Sequence, residues 1–374
     1  MPEKLSPILG LPVDEDAPVP SPQSGSVSPL PEAAVEISVI VPARNEALRL
    51  PECLHSLLAQ EDELFSLGRD WELLLVDDAS TDATRRLMEE AAAGQPSVRV
   101  LEAPPLDASL WTGKSNACWY AAGVARGRWL VFTDADTIHE PKSLLHALHE
   151  ARKHHAALLS YSPRQLVHGV AQRVLMPLVF SELASVYRMN EVNDPEKSLA
   201  AANGQFLMME REAYFAVGGH KAIARSVLED VDLAKKVKQS GRLIRFRYGG
   251  DALSTRMYQG VSDMVEGWTK NLALLFPHAL QLAAWRVLDI LLWCLPFSLL
   301  LFPYLATWKK MALGLVWLRT LLRFYTRVAR AHMGWTNTAL SPLGLPLFVA
   351  LLVRSWMNHH IFHRVSWKGR EYSS

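Results

Sequence analysis

Between residues 36 and 250, short apolar runs recur between longer stretches whose apolar positions follow a helical period. The runs 37–41, 72–76, 98–102, 129–133 and 157–161 have strand length and predict buried strands, while 48–60 and 82–93 predict amphipathic helices between them. Alternating strands and helices predict an α/β domain built on a Rossmann-like, mostly parallel central sheet. In such sheets ligands gather beyond the carboxyl ends of the strands, so the residues following each run carry the argument about chemistry.

The flanks read differently. Residues 1–34 are rich in Pro and Ser, show no periodicity and predict a disordered tail. They lack the apolar core and basic start of a secretory signal, so the domain over 35–260 is expected in the cytoplasm. Residues 261–278 predict an interfacial amphipathic helix, and 279–374 a membrane-associated helical region. Within that region, 287–306 has about the 20 residues that span a hydrocarbon core, interrupted by Asp289, Pro296 and Pro303. A shorter candidate span covers 343–353 and extends through 355–357, flanked by Arg354. Between them, 309–330 carries Arg319, Arg323, Arg327 and Arg330 near helical spacing, which suits an interfacial helix or a poor second span. A helical subdomain packed on the α/β domain is the alternative. The Lys and Arg distribution does not orient these segments cleanly. The expectation is several crossings, even in number, with the tail on the cytoplasmic side.

Composition narrows the classes. A net charge of +1 over 374 residues argues against nucleic acid as a partner, and a 49% hydrophobic content supports a large core. Cys53, Cys118 and Cys294 are scattered and odd in number, which implies neither a disulfide framework nor a zinc site.

The run 129–133 stops at Asp134-Ala135-Asp136. Alternation puts both carboxylates on one side of an extended chain, where their repulsion is relieved by a hard cation such as Mg²⁺ or Mn²⁺. Such a cation completes its shell with substrate phosphates, which makes the pair a candidate diphosphate site; a solvated strand end is the plainer alternative. The first run ends in Pro42-Ala43-Arg44-Asn45-Glu46, a polar loop that suits a nucleotide or an ordinary helix start. The second ends in Asp77-Asp78, followed by Asp82, which helix capping explains better than it explains the pair. Lys114, after Gly113, stands at a helix start without the glycine spacing of a phosphate-binding P-loop. It is placed to neutralise a diphosphate or simply to be solvated. Glu229-Asp230 opens a further helix, as macrodipole-favoured acids or with one carboxylate as a general base.

As a set, Asp77-Asp78, Asp134-Ala135-Asp136 and Glu229-Asp230, preceded by Val39-Ile40-Val41-Pro42-Ala43-Arg44-Asn45-Glu46, resemble the inverting family-two glycosyltransferases of the GT-A fold over about 37–258. In finer detail the chain resembles membrane-attached members acting on lipids, including carotenoid-acid and hopanoid-associated glycosyltransferases. The shared pieces are Gly113-Lys114, Asn203-Gly204-Gln205-Phe206, Gly218-Gly219-His220, Arg256-Met257-Tyr258, Glu266-Gly267-Trp268-Thr269-Lys270-Asn271 and Trp367-Lys368-Gly369-Arg370-Glu371-Tyr372. No Gln-x-x-Arg-Trp follows Glu229-Asp230, which departs from the polymer-synthesising branch.

The resemblance implies a nucleotide-diphosphate sugar donor, UDP-linked by preference, and a lipid acceptor at the membrane. It implies Asp78 on the uracil with Asp77 beside it, and Pro42, Ala43, Arg44 and Glu46 around the nucleoside. Asp136 is implied as the direct ligand of Mg²⁺ or Mn²⁺, and Asp134 as a ribose or metal partner. Asp230, with Glu229 beside it, is implied as the catalytic base, needed only where the acceptor is a hydroxyl. Gly204, Gln205, Arg256, Trp268 and Lys270 fall on the acceptor or membrane side, Trp268 as an interfacial anchor and Lys270 toward headgroups or the diphosphate. Three rivals stand beside this reading: transfer to a polyprenyl phosphate, a nucleotidyltransferase, and a non-catalytic nucleotide-sugar-binding membrane protein. The loop Pro42 to Glu46 has no glycine, which counts against the nucleotidyltransferase.

Overall fold

The computed structural model describes residues 35–300, 304–362, 364–367 and 370–373. The expected disordered tail lies outside the described residues, as do residues 301–303 of the expected 287–306 span. The chain runs β1 (Val35–Ala43), α1 (Leu50–Leu58), β2 (Trp71–Asp77), α2 (Thr84–Ala92), β3 (Val98–Glu102), α3 (Gly113–Val124), β4 (Gly127–Thr133), β5 (Thr137–His139) and α4 (Ser143–Lys153). It continues through β6 (Leu158–Ser162), β7 (Arg164–Gln165), α5 (Gly169–Val186), α6 (Met189–Val192), β8 (Phe206–Glu210), α7 (Arg211–Ala216), α8 (Glu229–Gln239), β9 (Ile244–Tyr248) and β10 (Leu253–Thr255). The helices α9 (Val261–Leu275), α10 (Ala279–Leu300), α11 (Thr307–Val328), α12 (Trp335–Leu340) and α13 (Leu345–Met357) follow, then the strands β11 (Arg364–Trp367) and β12 (Arg370–Ser373).

Seven strands form the central sheet in the order β3-β2-β1-β4-β8-β6-β9. All are parallel except β8, which runs against both β4 and β6. Helices cover both faces, and that is why β1 and β2 read as continuous apolar runs: every residue of β2 is buried. The close packing shows at Gly127, where an added Cβ would come within 2.4 Å of the Ser38 backbone nitrogen.

Reversal of β8 has a consequence for the site. Thr133, the last residue of β4, pairs with Phe206, the first of β8, so the loop leading into β8 arrives at the carboxyl ends of the parallel strands. A small second sheet, β5-β10-β7, closes the same edge.

A third apolar cluster joins α5, α9, α10, α11 and α13 around Leu175, Trp268, Leu272, Phe324 and Phe348. Inside it, Glu182 and Asp289 face Arg286 and Arg327 in four contacts of 2.6–3.5 Å. The charges balance, which gives Asp289 one partner on its own helix, Arg286, and another on α11, Arg327. Among the described residues, the helical run Trp335–Phe362 is long and apolar enough to cross a membrane. The pair Val261–Leu275 and Ala279–Cys294, bent by 111°, counts as a second only if taken as one broken span. The expected candidate at 343–357 thus lies inside the run of spanning length. The helix begun at Ala279 starts before residue 287, and the short candidate near 343–357 is part of a longer helical run.

Candidate active site

The turn after β4 is fastened by hydroxyl groups and backbone. Thr133 Oγ1 donates to the Gln205 carbonyl at 2.8 Å, and Gln205 Nε2 donates to Thr255 Oγ1 at 3.0 Å. Thr255 Oγ1 in turn donates to the Asp136 carbonyl at 3.1 Å. These bonds end on main-chain carbonyls and a hydroxyl, and the carboxylates of Asp134 and Asp136 line a cavity of about 320 Å³ at the carboxyl edge of the sheet.

Lys114 arrives from the first turn of α3, a helix begun by Thr112, whose hydroxyl accepts from the Ser115 N–H at 3.3 Å. Its ammonium lies 2.7 Å from Asp134 Oδ1 and 2.9 Å from Glu229 Oε1. Gly204 makes room for it: a Cβ there would fall 2.7 Å from Lys114 Nζ. The Gly204 N–H donates to Asp230 Oδ2 at 2.7 Å, and the Val231 N–H donates to Asp230 Oδ1 at 2.8 Å. Both oxygens of Asp230 are thereby oriented by backbone donors at the start of α8.

Crowding of these charges sets their protonation. Burial lowers the Lys114 pKa, but the charges of Asp134 and Glu229 outweigh it and hold the ammonium well above its ordinary value. Burial also raises Asp134, against the pull of Lys114. At Glu229 the balance tips the other way: burial raises the carboxyl, and Lys114 and Lys270 bring it below the ordinary value. Asp230 is pushed up to about 7, first by burial and then by the charge of Glu229.

On the opposite wall, the loops after β1 and β2 are strapped together. Arg44 Nη1 donates to the carbonyls of Asp78 and Ala79 at 2.9 and 3.3 Å, and Asn45 Oδ1 accepts from the Thr81 N–H at 2.8 Å. Pro42, Ala43, Arg44, Glu46 and Asp78 all line the cavity. Asp77 does not; its carboxylate accepts from the Ser80 N–H at 3.3 Å and shapes the turn.

The remaining wall belongs to α9, whose Gly267, Lys270 and Asn271 share one helical face toward the cavity. Trp268 lies off that face and corrects the expectation of an interfacial anchor. It is only 2% exposed, packs on Phe180 and Tyr258, and its indole N–H points at Met176 Sδ, 3.3 Å away. Arg256 also stands outside the lining; its backbone N–H reaches the Asp136 carbonyl at 3.4 Å. Gly204 and Gln205 do line the cavity.

Sequence reasoning passed over Arg49, which lines the cavity and joins the donor-side loop to the helical region. It reaches Glu46 at 3.0 Å and Asp263 of α9 at 2.8 Å. A lone arginine opening a helix carries no local signal of that bridge. Tyr258 and Asn203, also in the lining, lie within the motifs quoted above, and Ser226 has no such signal.

Among the described residues no cluster of three or more His, Cys, Asp or Glu is arranged to hold a metal ion. Two carboxylates facing a cavity fit a cation that takes its other ligands from water and phosphate oxygens. Asp134 and Asp136, both in the lining, are the pair that would hold it.

The family model for glycosyl transferase family 2 matches residues 38–231, just over half of the chain. A protein of Staphylococcus haemolyticus named 4,4'-diaponeurosporenoate glycosyltransferase is 29% identical over 367 residues, covering 91% of this chain and 90% of the relative. One of the same name from Staphylococcus aureus strain USA300 is 26% identical over 352 residues, covering 90% and 88%. Among solved structures, a mannosyltransferase of Pyrobaculum calidifontis in complex with GDP-Man and Mn²⁺ is similar with a TM-score of 0.53 at 18% identity, covering 90% of each chain. That likeness is one of fold, a GT-A glycosyltransferase architecture.

Proposed function

We propose, from the premise that this chain belongs to glycosyl transferase family 2, that it moves a sugar from a nucleotide-diphosphate donor to a lipid-like acceptor at a membrane face. One observation carries the reading: a single cavity gathers the Asp134/Asp136 pair, Lys114, the Glu229-Asp230 pair and one face of α9. The opposite side of α9 is packed into the apolar helical cluster. A site walled in this way suits an acceptor whose apolar part stays in lipid while its reactive end reaches the sugar. The staphylococcal relatives, named for a carotenoid acid, support an acceptor of that kind.

In this reading Asp78 accepts from a uracil imide N–H, which favours a UDP-sugar, and the Arg44-strapped loops enclose the nucleoside. Asp136, with Asp134, holds Mg²⁺ or Mn²⁺, which when bound neutralises charge on the departing diphosphate. Lys114 supplies a further positive charge at the same place. Asp230, with both oxygens held by backbone N–H groups, takes the proton of an acceptor hydroxyl as it attacks the anomeric carbon. A carboxylic acid acceptor is already ionised at neutral pH and needs orientation instead. One in-line displacement inverts the anomeric centre without an enzyme nucleophile. The catalytic domain and its donor belong on the cytoplasmic side of a membrane crossed more than once.

Transfer of labelled sugar from a panel of UDP- and GDP-sugars into membrane lipids, with and without Mn²⁺ or Mg²⁺, tests the proposal. Metal-dependent label in the organic phase, lost in Asp136→Ala, is the expected result. Tight nucleotide binding with no lipid labelling from any donor would sink it.

A further inference from the structure

The 22 residues of α11 are long enough to cross a hydrocarbon core, yet α11 is not among the described helices apolar enough to do so. Its side chains divide by direction. Phe324 and Val328 are buried in the third cluster, with Phe324 against Trp293 of α10. Along a different line, Trp308, Met311, Leu315, Leu318 and Leu322 recur every three or four residues and are 49–67% exposed. At helical spacing Arg319 and Arg323, both exposed, fall along the rim of that stripe.

Charge selects the partner. Residues 290–370 contain ten Lys or Arg and no Asp or Glu. A second copy of this chain docking by the same face would oppose like charges. A lipid surface bearing phosphate and net negative charge satisfies both features, since apolar side chains enter the acyl boundary while basic ones stay among the headgroups.

We infer that α11 lies in the plane of an anionic lipid leaflet, its apolar stripe at the acyl boundary and Arg319 and Arg323 among the phosphates. The inference rests on the membrane half of the proposed function and adds to it the class of lipid and the posture of the helix. It also gives α11 a task distinct from the run Trp335–Phe362, which has the length and apolarity to cross.

Depth along the stripe separates the postures. Residues 308 and 322 are about 21 Å apart along a helix axis, so a crossing helix would place them at very different depths. The full chain carrying Cys294→Ser, which leaves only the buried Cys53 and Cys118, accepts a single probe at Trp308→Cys, Leu315→Cys or Leu322→Cys. Each variant is labelled with a fluorophore and placed in nanodiscs of phosphatidylcholine alone or mixed with phosphatidylglycerol, with nitroxide lipids quenching at known depths. Equal, shallow quenching at all three positions is expected in anionic discs, with several-fold weaker quenching in neutral discs, at high salt, or in Arg319→Gln/Arg323→Gln. A graded profile with residue 315 deepest overturns the in-plane posture in favour of a crossing. Unquenched labels overturn lipid docking altogether, and equal quenching in neutral and anionic discs overturns the lipid class. UDP-sugar binding measured in the same discs reports on the donor site separately. Loss of donor binding with unchanged depths counts against the proposed function and not against the placement of α11.

Discussion

Glu72 and Asp78 stand near opposite ends of one strand, and the carboxylates gathered at those two ends are treated in opposite ways. Glu72 is fully buried but amply answered. Ser38 Oγ donates to it at 2.7 Å, the Arg126 N–H at 2.7 Å and Arg126 Nε at 2.9 Å, with Arg99 3.5 Å away. Burial raises its pKa, and these donors and the Arg126 charge together bring it below the ordinary value. At the carboxyl end, Asp134 and Glu229 share the Lys114 ammonium while Asp230 is held by backbone donors and has a pKa pushed to about 7. The first arrangement is complete within the fold. The second carries an excess of negative charge that a bound cation would balance, which is the electrostatic mark of a site rather than of a joint.

Removing one carboxylate at each end is the strongest way to break that contrast. Asp136→Ala should lower kcat/KM for sugar transfer by about three orders of magnitude, roughly 4 kcal/mol of lost charge stabilisation, with little change in the thermal unfolding midpoint. A large drop in the midpoint instead would make Asp136 a structural residue like Glu72. Glu72→Ala should do the reverse and cost about 2–3 kcal/mol of stability, read by unfolding in detergent. The figure sits below that for fully buried pairs because Arg99 and Arg126 are partly exposed and can turn to water. The folded pKa of Glu72 is depressed, so its stabilisation is present above the unfolded value near 4.3 and is lost as pH falls through the folded pKa. An unchanged acid-unfolding curve in Glu72→Ala would contradict this account.

Packing around Lys114 gives a subtler test. In Gly204→Ala the new Cβ would lie 2.7 Å from Lys114 Nζ and 3.5 Å from Asp230 Oδ2. The lysine is the flexible partner and should yield, withdrawing its charge from the diphosphate. A loss of activity on the order of tenfold or more is expected. Unaltered kinetics in Gly204→Ala would remove Lys114 from the charge-balancing role.

How much of this was legible beforehand follows from which residues act locally. The acidic pairs could be read because a buried parallel strand is a continuous apolar run that ends where the sheet ends. Asp134, Asp136, Glu229 and Lys114 all line one cavity. The strand β8 went unpredicted because Phe206–Glu210 runs straight into a helix, so that no turn signal bounds its carboxyl end, although Asn203-Gly204 marks its start. Its antiparallel pairing is nevertheless what delivers Gly204 to Asp230. Trp268 was misplaced for a related reason. An amphipathic helix reveals two faces, but tertiary packing decides which face meets the cavity and which the core. The bridge from Arg49 to Asp263 joins residues more than two hundred positions apart, and no window on the sequence contains both.

The finest division between the two ends is in their response to pH. A general base must be deprotonated to act, so if Asp230 with its pKa near 7 takes a proton from an acceptor hydroxyl, the rate should rise with pH through about 7 and level off above it. Below that point the loss is about tenfold per pH unit, and Asp230→Asn abolishes the dependence along with most of the rate. A carboxylic acid acceptor predicts something else from the same residues. Already ionised, it leaves Asp230 no proton to take, and Asp230→Asn should retain activity with a flat profile from pH 6 to 8. Glu72 lies outside this window in either case, because its titration is displaced to acid pH and is read in stability rather than rate. A profile near neutrality that survives Asp230→Asn would assign the titration to another group and end the base assignment, while leaving the charge balance around Lys114 as it stands.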